Sequence, residues 1–242
     1  MSKSLFIVTS AIHTRFGVYN TDQRLQQTIE TFNSIRQKCD ADIILLDAGE
    51  QVISEQDVSL LKLYASDILQ FANDEVVRAV QKDENCFLVK SLLEIITLKS
   101  TFLQLLKHPD IKNYSRIFKI SGRYILDSDF DYQKHLSEVN KVAIKASKAC
   151  MYSTEHWAIK ECATQYYREH MTRLWSFDTS LLGNMIDLFQ SMQTTLINLI
   201  NDNKFQDIEH LMYCHLDPAM VTEFDVIGVQ GTIAPKGVLV KD

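Results

Sequence analysis

The chain opens on a continuous apolar run, residues 5–11, Leu-Phe-Ile-Val-Thr-Ser-Ala. An unbroken β-branched and aromatic run of this length predicts a strand buried on both faces, as in a parallel sheet. A polar loop follows from Ile12 to Asp22. Leu25, Ile29, Phe32 and Ile35 then recur at three-to-four spacing and predict an amphipathic helix. Residues 42–47, Asp-Ile-Ile-Leu-Leu-Asp, predict a second buried strand that ends in an acid. This β-α-β start is the opening of a nucleotide-binding α/β fold with a mainly parallel central sheet flanked by helices. Further on, the pattern predicts helices over 55–63, 85–107, 181–201 and 207–215. It predicts strands over 116–126, 148–153, 171–180 and 223–233, and a short one at 68–71. The tail with Gly231, Pro235 and Gly237 reads as turns. No internal repeat or low-complexity linker interrupts the pattern, so one domain over 1–242 is expected.

Composition narrows the classes. Hydrophobic residues at 46% and charged residues at 23% exclude general disorder. A net charge of −6 argues against a nonspecific nucleic-acid binder. With only 7 Gly and 3 Pro, a turn-rich all-β protein is disfavoured. The five cysteines (Cys39, Cys86, Cys150, Cys162, Cys214) are odd in number and form no CxxC pair, which reads as free thiols. The run Leu5 to Val8 is too short for a signal core, and no stretch reaches the roughly 18 apolar residues of a membrane span. A cytoplasmic protein is expected.

Five groups of residues carry candidate chemistry. In open α/β sheets ligands bind outside the carboxyl ends of the strands. Thr9 and Ser10 stand there on the first strand and can hydrogen-bond a base or sugar, with Arg15 or Arg24 to neutralise a phosphate. No GxGxxG or GxxxxGK[ST] follows the strand, so neither a dinucleotide site nor a P-loop is supported. Asp47, at the end of the second strand, is either an acceptor for ribose hydroxyls or a turn residue. In the stretch 118–124, Phe-Lys-Ile-Ser-Gly-Arg-Tyr, the Ser121-Gly122 step marks a bulge or a close backbone approach to a ligand. Lys119 and Arg123 inside an apolar strand need anions, either a diphosphate or buried carboxylates. Asp127, Asp129 and Asp131 alternate, as a solvated turn or as oxygen ligands for a divalent cation. Asp207 and Glu209 open a helix, where they suit the helix dipole or supply a general base. Glu155, His156, Trp157 and Asp178 are further candidates for an acceptor side, His156 and Trp157 by stacking on a sugar ring.

With these residues in place, the chain resembles nucleotide-sugar glycosyltransferases of the GT-A type. The likeness lies in the order strand, polar loop, helix, strand ending in Asp47, long helix, and then a strand with a polar break. The Lys-Ile-Ser-Gly-Arg-Tyr stretch, Arg173 to Asp178 and the Gly228-Val-Gln-Gly231 tail are similar to small cytoplasmic glycosyltransferase-like proteins of bacteria and their phages. The resemblance implies a single GT-A-like (Rossmann-like) domain. Its half 1–132 would hold a nucleoside diphosphate sugar such as a UDP-sugar, and its half 133–242 would serve the acceptor. Thr9, Ser10, Arg24, Asp47, Lys119, Ser121, Gly122 and Tyr124 would then bind the donor. Glu209, with Asp207, would deprotonate a glycan or other acceptor hydroxyl. In the family an Asp-x-Asp motif holds a divalent metal. Here Ser121-Gly122-Arg123 stands in its place, and an arginine cannot ligate Mg²⁺ or Mn²⁺. The expectation is a metal-independent site in which Arg123, with Lys119, replaces the cation. The alternative is an Mg or Mn site displaced to Asp127 and Asp129. A relative that binds a nucleotide or glycan without transfer is the second reading. A phage-type enzyme acting on DNA bases, with Lys141, Lys145 and Lys148 as a basic patch, is a third.

Overall fold

The computed structural model describes residues 3–150, 161–162, 167–233 and 237–242. In chain order the first half holds β1 (Lys3–Ser10), α1 (Thr21–Lys38), β2 (Ala41–Asp47), α2 (Glu55–Leu61), β3 (Asp67–Gln70), α3 (Glu75–Val80), α4 (Cys86–Lys107), β4 (Tyr114–Ser121) and β5 (Tyr124–Leu126). The second half holds α5 (Tyr132–Ser137), β6 (Val142–Lys145), β7 (Lys148–Cys150), β8 (Glu161–Cys162), β9 (Tyr167–Glu169), β10 (Leu174–Asp178), α6 (Leu182–Asn201), β11 (Lys204–Phe205), α7 (Ile208–His215), β12 (Val221–Phe224), β13 (Val229–Ile233) and β14 (Val238–Lys241).

Seven strands form one mostly parallel sheet in the order β12-β6-β10-β4-β1-β2-β3. Both halves of the chain contribute to it. Only β10 runs against its neighbours, pairing antiparallel with β4 and with β6. β1 lies between β4, the central strand, and β2, with Ile7 opposite Ile44 on β2 and Lys119 on β4. Its alternating side chains feed two cores. Leu5 and Ile7 join a cluster with α4 and α6, while Phe6 and Val8 join another with α1. Burial on both faces is what its unbroken apolar run requires. On the first face Phe102 meets Trp175, Phe177 and Phe189 edge-on. Helix α1 starts at Asn20, whose side chain accepts from the Gln23 N–H at 2.9 Å while Gln23 Oε1 accepts from the Asn20 N–H at 3.0 Å.

Several expectations need correction. The strand expected over 116–126 is two strands. Gly122 donates to the Thr9 carbonyl at 2.7 Å, the chain turns through Arg123, and β5 leaves for a three-stranded sheet with β13 and β14. The strand expected over 223–233 also splits, into β12 in the large sheet and β13 in the small one. The divide is Gly228 at φ +78, a left-handed turn open to glycine. The turn-rich tail contains the strand β14. Helices α3 and α5 and strand β6 were not expected. Val142, Ala143 and Ile144 of β6 are fully buried inside the stretch that reads as a basic patch. Beyond β7, the strand expected over 148–153 lies outside the described residues. Among the described residues no helix is long and apolar enough to cross a membrane, and Cys39, Cys86 and Cys214 are free thiols.

Candidate functional site

The parallel strands β1, β2 and β4 end together, and their carboxyl ends open into a cleft. Thr9 and Ser10 line it from β1, Leu46 and Ala48 from the end of β2, and Ser121 and Arg123 from the end of β4. The loop between β1 and α1 covers one side with His13, Thr14, Phe16 and Tyr19. Helix α4 covers the other with Lys90, Glu94 and Thr97, which recur at four and three residues on one face.

The cleft is rich in cations that form no ion pair with a carboxylate among the described residues. Arg24 is 6% exposed. Its guanidinium donates to the Ala11 carbonyl, Gln27 Oε1 and Ser10 Oγ at 3.3, 2.9 and 3.4 Å, all of them neutral. Burial, and then Arg123, pull its pKa down to about 10. Lys90 is also held below the ordinary lysine value, by burial first and then by Arg123. The Nε of Arg123 is buried without a hydrogen-bond partner. The Arg123 guanidinium lies over one side of the Tyr124 ring, 5.4 Å from its centroid, and Arg173 lies 5.7 Å from the same centroid. Arg15 is different, because Glu50 stands 3.4 Å from its Nε and the Asp83 carbonyl accepts from it.

Thr9, Ser10, Arg24, Ser121 and Arg123 thus meet at one cleft. The other expected donor residues lie beside it. Asp47 is fully buried. It accepts from the Ile12 N–H at 2.8 Å and the Gly49 N–H at 3.1 Å, tying together the two loops that follow β1 and β2. Burial pushes its pKa up to about 6. Lys119 is fully buried too, and its anion is a carboxylate rather than a diphosphate: it pairs with Glu94 and donates to the Thr172 carbonyl at 2.8 Å. Gly122 marks a close approach to α1. A Cβ there would stand 3.2 Å from Thr28 Oγ1. Tyr124 is buried beneath Arg123.

The acidic candidates scatter. Glu209 does not line the cleft. It accepts from Thr172 Oγ1 at 2.9 Å, and burial, Asp207 and Glu94 raise its pKa well above the ordinary glutamate range. Through Thr172 and Lys119 it is linked to Glu94, the carboxylate that does face the cleft. Asp207 caps α7, accepting from the His210 N–H at 3.0 Å. Asp207, His210 and Glu169 bring one donor atom each within 4.8 Å of one another, a grouping that could hold a metal ion. Lys148 pairs with its Glu169 at 3.2 Å. Asp127 and Asp129 do not line the cleft, and Lys241 stands 3.6 and 2.8 Å from them. Asp131 caps α5. Asp178 lies at the far end of the sheet, because antiparallel β10 sets it opposite Arg116 at the start of β4. Glu155, His156 and Trp157 lie outside the described residues.

Sequence reasoning missed Lys90, Glu94 and Thr97. Their signal was readable: three polar residues at four-and-three spacing on one face of a mostly apolar helix. No protein-family model matches the chain, and no curated protein matches it. The functional reading therefore rests on this cleft.

Proposed function

We propose that the protein is a glycosyltransferase that moves a sugar from a nucleoside diphosphate sugar to an acceptor hydroxyl. One observation carries the reading: Arg24 and Arg123 line the cleft at the strand ends with no ion pair to a carboxylate among the described residues, and there the buried Nε of Arg123 has no acceptor. Buried cations without counter-ions favour an anionic ligand. The seven-stranded mostly parallel sheet with its small companion sheet is compatible with a GT-A layout. Tyr19 offers an aromatic face to a base, Phe16 offers the face that Arg15 leaves uncovered, and Thr9 and Ser10 offer hydroxyls to a ribose.

In this reading the acceptor oxygen attacks the anomeric carbon. The bond from that carbon to the diphosphate oxygen breaks, and its electron pair leaves on the diphosphate. Arg123 meets the charge that grows there, where a fixed donor stabilises the transition state more than the ground state. The acceptor proton passes to a carboxylate. Glu94 faces the cleft, while Glu209 lies behind it through Lys119 and Thr172. Thermal shift against nucleotide sugars, followed by a nucleotide-release assay, tests this. Arg123→Ala should lose release by at least about a hundredfold, and wild-type turnover in that variant would end the proposal.

A second reading, binding without transfer, is motivated by Ser121-Gly122-Arg123 in place of Asp-x-Asp. Nucleotide-sugar binding with no release under any acceptor would favour it. For DNA as acceptor the basic patch gives little support. Lys141 and Lys145 donate to the carbonyls of Ala219 and Asp225, and Lys148 pairs with Glu169.

A further inference from the structure

Resting on the reading above, we infer that the cleft takes the magnesium-free form of a diphosphate, with Lys90 as a third anion ligand, so that Mg²⁺ weakens binding instead of supporting it. Lys90 lies one helical turn from Glu94 on α4 and projects into the cleft. It has no hydrogen bond or ion pair among the described residues. Arg24 and Arg123 line the same cleft as Lys90, which places all three cations around one space.

Their mutual repulsion is unfavourable in the empty cleft, and a ligand with two or three negative charges relieves it. A free diphosphate supplies that charge on neighbouring oxygens. Its magnesium complex presents two fewer negative charges and brings a divalent cation toward Arg24, Lys90 and Arg123. Among the described residues nothing in the cleft wall compensates. The two carboxylates that line it are already engaged, Glu50 with Arg15 and Glu94 with Lys119. Asp47, behind the wall, is committed to the Ile12 and Gly49 N–H groups. A divalent ion entering with the ligand would find three cations and no uncommitted anion.

Calorimetric titration of the full chain with UDP and with inorganic pyrophosphate, in EDTA and in excess MgCl₂, tests this. Saturable binding of one or both is expected in EDTA. The affinity should fall on the order of tenfold with Mg²⁺. Lys90→Met should bind more weakly in EDTA and show a smaller magnesium effect, with unchanged far-UV circular dichroism as the control for folding. Binding that strengthens with Mg²⁺, or a Lys90→Met protein indistinguishable from wild type, overturns the inference while leaving a diphosphate cleft and the transferase reading in place. No binding of either probe in either buffer, together with no nucleotide release from any nucleotide sugar, overturns both.

Discussion

Asp47 joins the fold to the cleft, and replacing it with asparagine isolates what its charge does. The carboxylate is fully buried and accepts from Ile12 N–H and Gly49 N–H, one on each loop beside the cleft. Those bonds favour the ionised form, but burial outweighs them and lifts the pKa from 3.8 to about 6. A folded-state pKa about two units above the unfolded value corresponds to about 3 kcal/mol. The sign follows from which state holds the proton more tightly. Here the folded state does, so the contribution is fully present below about pH 4 and is lost as pH rises through 6. Acidifying wild type from pH 7 to pH 4 should therefore gain about 3 kcal/mol from this residue alone. Asparagine does not titrate, so Asp47→Asn should lack that gain. Urea unfolding of both proteins across this range, taken as a difference at each pH, cancels every other titrating group. The difference should change by about 3 kcal/mol, most of it between pH 6 and pH 4. Parallel profiles would show that the carboxylate is not buried against those two amides as described.

Three further outcomes are expected. His135 is fully buried among Phe118, Phe130 and Phe224, and burial lowers its pKa from 6.5 to about 3, so stability should be lost as pH falls through that interval, by on the order of 5 kcal/mol. His135→Phe should flatten that part of an acid-unfolding curve, and an unchanged curve would refute the assignment. Gly228→Ala should destabilise by more than about 1 kcal/mol in a thermal melt, because φ is +78 and the new Cβ would stand 2.2 Å from Phe130 N. Lys119→Met should cost toward the lower end of roughly 3–5 kcal/mol by leaving Glu94 uncompensated, with part recovered in the Lys119→Met, Glu94→Gln double variant. Strict additivity in that cycle would deny the pair.

The parts of the fold that the sequence made legible are those governed by local periodicity. β1, α1, β2 and the long α4 were readable because each buries a face whose pattern repeats within the element. What local pattern cannot show is which sheet a strand joins and which way it runs. The polar step Ser121-Gly122-Arg123 marks a break, but apolar Ile125 and Leu126 resume the rhythm of β4, so nothing local shows that β5 leaves for another sheet. Asp178 falls near the end of the strand predicted over 171–180, yet β10 is antiparallel, and reversal carries that end to the side of the sheet away from the cleft. The same limit decided between the two cations of the motif stretch. Lys119 and Arg123 share a parity, and either could have met a ligand. Their roles divided because α4 brings the carboxylate of Glu94 to Lys119, whereas what it brings toward Arg123 is another cation, Lys90. A charged residue in an apolar strand therefore signals a ligand only after its long-range partners are counted. Among the described residues that count leaves Arg24, Lys90 and Arg123 as cations around the cleft with no ion pair to a carboxylate.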